Sequence, residues 1–163
     1  MTAAVVDHVL ENEHMVIGAL LQAAPGLQLA ALDELTNEDF TDLRCRFALT
    51  TARRMLAENV PVDQVTLHAF VVRHALLSDG RLRGSLALWL ADRTSAVPVV
   101  SHLPWYVLGV TEQSSRRAIA EAAERVREVA VLGAVADVST VIGVEMTAIA
   151  AALGRLRGVS AHA

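Results

Sequence analysis

Apolar and polar positions along this chain follow the beat of helices rather than the alternation of strands. From Glu11 to about Ala23 apolar residues recur at Met15, Ile17, Leu20 and Leu21, and Pro25-Gly26 stops the run. Residues 1–9 read as a loosely held start. Gly18 lies inside this first helix, where glycine costs up to about 1 kcal/mol relative to alanine; a close helix crossing would account for it. A short helix is expected over Leu27–Leu35. Thr36-Asn37-Glu38-Asp39 then has the form of a capping box, with Phe40 after it as a core anchor. Asp42 caps a longer helix over 43–59, whose apolar face carries Phe47, Ala48, Thr51, Met55 and Leu56. Asn59 ends it, and Pro61 holds Val60 extended. Asp63 caps a helix over 64–76 that carries Val65, Leu67, Phe70, Val71 and His74. Ser78-Asp79-Gly80 reads as a turn, and Gly84 opens one more short helix with Leu86, Leu88, Trp89 and Leu90.

A linker containing Pro98 is expected from Thr94 to Leu103. Ser101 then caps a helix with Pro104 just inside it, running to about Val131, and Gly133 breaks it. Its seam is Ile119, Ala122, Val126 and Val129. A last helix over Val138–Leu156 repeats the pattern at Ile142, Met146, Ile149, Leu153 and Leu156. The short connection predicts an antiparallel hairpin. The fold class is therefore all-α: a small helical head (1–103, with linker) followed by an antiparallel helical hairpin (104–163). Val141, Val144, Ala148 and Ala151 make the last helix apolar on a second side, which favours packing against another subunit over folding back on the head.

Composition sharpens this picture. The chain has 163 residues, of which 53% are hydrophobic and 4% aromatic, enough for a real core. All 14 basic residues are arginine, against 18 acids. The net charge of −4 speaks against strong autonomous nucleic-acid binding. Cys45 is the single cysteine, so no internal disulfide forms, which suits a cytoplasmic protein. Arg44 and Arg46 flank it and could depress its pKa; the alternative is a small, inert helix residue. No signal peptide is evident, and the longest apolar stretches are expected to be broken by charges before they span a bilayer.

Three segments in one order carry a family likeness. They are Glu13-His14-Met15-Val16-Ile17-Gly18-Ala19-Leu20-Leu21, then Leu35-Thr36-Asn37-Glu38-Asp39-Phe40 with Arg46 and Phe47, then Pro61-Val62-Asp63-Gln64-Val65-Thr66-Leu67. Over about residues 10–157 the chain resembles the N-terminal domain of the DnaB-type replicative DNA helicase. It departs from that pattern at Trp105, at Gly84-Ser85-Leu86 and in its alanine-rich hairpin. The resemblance implies a non-catalytic collar module that needs no cofactor. Its hairpins would pair into dimers and trimers of dimers, and it would contact the C-terminal domain of primase, the helicase, or both. It places Val126, Val129, Ile142, Ile149 and Leu153 in the oligomer contact. Glu13, Gly18, Asp39, Phe40, Pro61, Asp63, Thr66 and Leu67 would hold the head together. The helicase-binding domain of primase is a neighbouring family of related shape. The expectation is of a collar without its motor, because a phosphate-binding G-x-x-x-x-G-K-[ST] loop requires a lysine and the chain has none.

Other chemistry finds little footing. His8 and His14, like His68 and His74, are six residues apart, which puts each pair on different helix faces, so no metal set is expected. Asp33-Glu34 and Glu38-Asp39 read as helix-end charges, and Ser114-Ser115 as surface residues rather than nucleophiles. Two other readings compete with the collar. One is a helical enzyme or ligand-binding bundle with a pocket of Met55, Phe70, Trp89 and Trp105; the other is a regulator that inhibits helicase assembly.

Overall fold

A computed structural model describes the backbone of residues 3–132 and 135–160, and the side chains of residues 11–131 and 138–157. All regular structure among them is helical. Seven α-helices follow one another: α1 (Ala3–Leu20), α2 (Pro25–Glu34), α3 (Leu43–Ala57), α4 (Gln64–Arg73), α5 (Gly80–Ala96), α6 (Leu103–Leu132) and α7 (Val135–Ser160). Short 3-10 turns lie at Asn37–Asp39 and Val100–His102. The chain divides into two compact units, Met1–Val110 and Thr111–Ala163, and α6 runs from the first into the second.

In the first unit α1 packs against α5, α3 and α2, and α4 packs against α3 and α5. Val16, Ile17, Leu20, Leu35, Phe40, Leu49, Met55, Leu67, Val71 and Leu90 are fully buried between these helices. Gly18 explains itself here. A Cβ at this position would strike the Arg93 carbonyl oxygen and come within 2.7 Å of Val97 Cγ2. The α1–α5 crossing has room only for hydrogen.

The helix ends are written in local chemistry. Asp42, Asp63 and Asp79 each cap the helix that follows, accepting the Arg44, Val65 and Arg81 amides respectively at 2.7–2.8 Å. Asn59 and Ala75 take left-handed conformations (φ 56° and 49°) just past α3 and α4. There the Val60 and Leu76 amides reach back to the Met55 and Val71 carbonyls, closing two Schellman-type ends.

Several expectations need correction. The helix expected from Glu11 starts at Ala3, because Ala3-Ala4 and the residues after them propagate it toward the N-terminus. The helix expected from Gly84 starts at Gly80, since Asp79 serves as its cap rather than as part of a turn. That helix continues to Ala96, and Val100–His102 forms a turn, so little of the expected linker is irregular. Ser101 lies within this turn rather than at the cap of α6. Val65 is 73% exposed because the inward face of α4 is Leu67, Phe70 and Val71. The expected break at Gly133 lies outside the described residues.

In the second unit, the Arg125 guanidinium of α6 grips the Glu145 carboxylate of α7 with two hydrogen bonds of 2.7 and 2.8 Å. Both lie some two to three turns from the short connection, so α7 doubles back beside α6. Thr111, Ser115 and Ala122 are buried on α6, with Val126 and Val129 half-buried further along the same stripe. Ser114 and Ser115 are thus buried rather than on the surface. On α7 the stripe turned inward is Val138, Val141, Glu145, Ile149, Ala152 and Leu156. This stripe keeps Ile149 and Leu156 of the expected seam, but Ile142, Met146 and Leu153 lie to one side of it. Val138–Arg157 is also long and apolar enough to cross a membrane by length and composition. Glu145 is the only charge before Arg155, so the expected interruption by charges is too sparse.

Candidate functional site

The residues singled out in the head serve several places: Glu13 and Asp39 hold the turn before α3, Pro61, Asp63 and Thr66 form the start of α4, and Gly18 lies at the α1–α5 crossing. The Glu13 carboxylate, 1% exposed, accepts the Thr41 amide and hydroxyl, both at 2.7 Å, and the Asp42 amide at 2.9 Å. A buried carboxylate is tolerable only when so satisfied. Asp39, equally buried, accepts the Thr36 amide at 2.7 Å and hydroxyl at 2.9 Å. Asp63 accepts the Val65 and Thr66 amides, while the Thr66 hydroxyl donates to the Pro61 carbonyl. Burial would raise the Asp63 pKa, but bonds from Thr66 and Val65 outweigh it and hold it below the usual range. Phe40 and Leu67 lie wholly in the core. Every one of these residues fixes a turn, caps a helix or fills the core.

Sequence reasoning missed a polar cluster between α1, α3 and α5. Arg93 Nη1 donates to His14 Nδ1 at 2.8 Å. Arginine can only donate, so Nδ1 carries no proton; Nε2 therefore bears it and donates to Asp42 Oδ2 at 2.9 Å. Arg44 also binds Asp42, through Nε and Nη2, and its guanidinium lies 5.3 Å from the Trp89 ring centre. Burial pushes the Asp42 pKa up, but hydrogen bonds from Arg44 and His14 hold it well below the carboxylate range. Cys45 stands beside this group. His14, Asp42 and Cys45 offer ligand atoms within 4.8 Å of one another. The surroundings oppose a metal ion: Arg44 and Arg93 supply two cations, and the His14 and Asp42 atoms are already paired. Burial, then the Asp42 and Glu13 charges, push the Cys45 thiol up, so the flanking arginines do not activate it. The one legible hint of this cluster was His14, Gly18 and Gln22, a polar and small row spaced by four on an apolar helix.

The expected ligand pocket does not assemble. Met55, Phe70 and Trp89 are core residues, whereas Trp105 is exposed. An open groove of about 390 Å³ lies instead beside the ends of α3 and α4, lined by Glu58, Val60, Thr66, Ala69, Phe70, Arg73 and His74. Asp33, Glu34 and Glu38 are exposed.

The expected contact residues of the hairpin fall into two sets. Val126, Val129 and Ile149 are half-buried within the unit. Ile142 and Leu153 are 39% and 41% exposed, and Met146, which shares their stripe, is 56% exposed. Three large apolar side chains thus line one side of α7 and are only partly covered.

No curated protein matches this chain. The family model for the DnaB-like helicase N terminal domain matches residues 5–112. Among solved structures, the chain is similar to the N-terminal domain of DnaB helicase from Mycobacterium tuberculosis, with 28% identity and a TM-score of 0.71. That likeness covers 86% of this chain and 94% of the other, so it extends beyond the family match and into the second unit. The match over most of the chain, on the same all-α fold, places this protein in the DnaB-like helicase N-terminal domain family.

Proposed function

We propose that this chain works by protein contact as a collar-type module of DNA replication, and that it catalyses no reaction. The observation carrying this reading is the partly exposed apolar stripe Ile142, Met146 and Leu153 in a chain of this family. A second copy laid against it would remove that apolar surface from water, the dominant gain in association. Val126, Val129 and Ile149 would border the contact, and dimers would assemble further as trimers of dimers. The head would supply surfaces for the C-terminal domain of primase or for a replicative helicase. A module of this kind would recruit primase or, by competing for assembly, inhibit the helicase. The absence of lysine leaves no phosphate-binding loop within these residues. The net charge of −4 supports protein rather than nucleic-acid partners, and the lone Cys45 is compatible with a cytoplasmic place of action. For α7, a contact between proteins is favoured over a membrane because Glu145 and its Arg125 partner would place an ion pair near mid-span.

Chromatography with in-line mass measurement tests this reading. The chain alone should elute as a dimer or hexamer, and it should shift on mixing with the primase C-terminal domain or with full-length helicase. A monomer at high concentration that shifts with neither would overturn the proposal.

A further inference from the structure

The His14 bridge joins three helices through one imidazole, and its two bonds demand opposite roles of the ring. Nδ1 must accept from Arg93 on α5, and Nε2 must donate to Asp42 at the head of α3. Only the neutral ring can do both. We propose that His14 is a proton-controlled coupler, tying α5 to α1 while neutral and releasing it when protonated.

The groups around the ring fix what protonation does. On its own helix Glu13 is turned to the Thr41 and Asp42 amides. On α3 stand Asp42, Arg44 and Cys45; on α5 stand Asp92 and Arg93. A proton at Nδ1 sets an N–H against the Arg93 N–H groups and puts two cations together, so that bond is lost. The bond to Asp42 survives and strengthens, because both partners are then charged. Arg93 is not stranded, since it already donates to Asp92. The grip of His14 passes from two helices to one. Its place makes this consequential: one turn along α1, Gly18 meets the Arg93 backbone, and one turn further Gln22 Nε2 donates to the Thr94 carbonyl at 2.8 Å. Arg93 is thus the residue through which α1 holds the last turn of α5 by side chain and by backbone.

Hydrogen exchange on the whole chain tests this coupler. The protection of amides 92–96, corrected for the intrinsic effect of pH on exchange, is compared at pH 8 and pH 5.5. Protection should fall roughly fivefold in the wild type, the factor given by one hydrogen bond of ordinary strength. In His14→Gln the carboxamide can still accept from Arg93 and donate to Asp42 but cannot charge, so protection should not change with pH. In Arg93→Met the protection should already be low at pH 8 and remain so. Imidazole nitrogen shifts at pH 8 should report the ring with its hydrogen on Nε2. A wild type insensitive to pH, a His14→Gln or Arg93→Met chain as sensitive as the wild type, or a hydrogen on Nδ1 at pH 8 would each overturn the coupler. Should His14→Gln fail to fold, Arg93→Met and the nitrogen shifts decide the matter.

Discussion

The head and the hairpin are made from the same few residue types, yet they settle their surfaces in opposite ways. In the head, the deeply buried carboxylates accept hydrogen bonds from named partners: Glu13 takes three, and Asp39 closes the turn before α3. Its large buried side chains come from six helices, α6 contributing Leu103, Val107 and Val110, and from the segments between them. Among the described residues of the second unit, only Ala122, Ala152 and a few polar side chains are buried, while Ile142, Val144, Met146 and Leu153 are partly exposed. Two helices can cover only one stripe of each other. The head buries most of its large apolar side chains, whereas the hairpin leaves several of its own partly exposed.

Glycine substitution gives the sharpest contrast between these regions. Gly18→Ala should destabilise the head by about 3 kcal/mol or more, since the new methyl meets backbone on α5 and cannot be accommodated by a rotamer change. Gly143→Ala in the hairpin meets nothing within 4 Å and should stabilise the chain by up to about 1 kcal/mol through helix propensity alone. Urea unfolding of both variants measures the difference. Equal effects would remove the distinction.

Glu13→Ala is expected to cost about 3 kcal/mol, because it removes the one acceptor shared by the Thr41 amide and hydroxyl and the Asp42 amide. The same measurement checks it, with retained helicity confirming that the loss is one of stability rather than of fold.

Asp63→Ala should cost about 1 kcal/mol through the lost cap of α4. Its pH dependence has a definite sign. The folded-state pKa of Asp63 is lowered, so its contribution is full above the ordinary carboxylate value near ~3.9 and is lost as pH falls below it. Wild type and variant should therefore converge in stability in acid. A gap that stays constant down to pH 2 would mean the aspartate acts without its charge.

The smallest effect on folding belongs to Met146→Arg with Leu153→Arg. Both positions are already in water, so the unfolding of the isolated chain should change by less than about 0.5 kcal/mol. Self-association should nevertheless be lost, as read by the dependence of molecular mass on concentration. Loss of folding instead would show that these side chains support their own unit.

Much of the head was legible before any coordinates. Thr36–Asp39, Asp42 and Asp63 announced helix starts because a short polar side chain before a helix satisfies free amides within three residues of itself. Gly18 announced a close crossing because glycine in a helix carries a cost that only packing repays. The early start of α5 at Gly80 was missed because Asp79 reads equally well as a turn residue and as a cap. The inward stripe of α7 was missed for a related reason. Val138, Val141, Ile142, Met146, Ile149, Ala152 and Leu153 provide two adjacent apolar stripes, and helical periodicity alone does not choose between them.

What the sequence determined by itself was local and periodic: helix identity, most caps, the hairpin and the family, since each depends on residues a few positions apart or on motifs in order. What only the tertiary structure decided was which distant side chains meet. His14, Asp42 and Arg93 are 28 and 79 residues from ring to partner. Glu145 finds Arg125, while Met146 and Leu153 stay partly exposed. Such pairings depend on how rigid helices cross, and the crossing is set by the packing of many side chains at once rather than by any spacing along the chain.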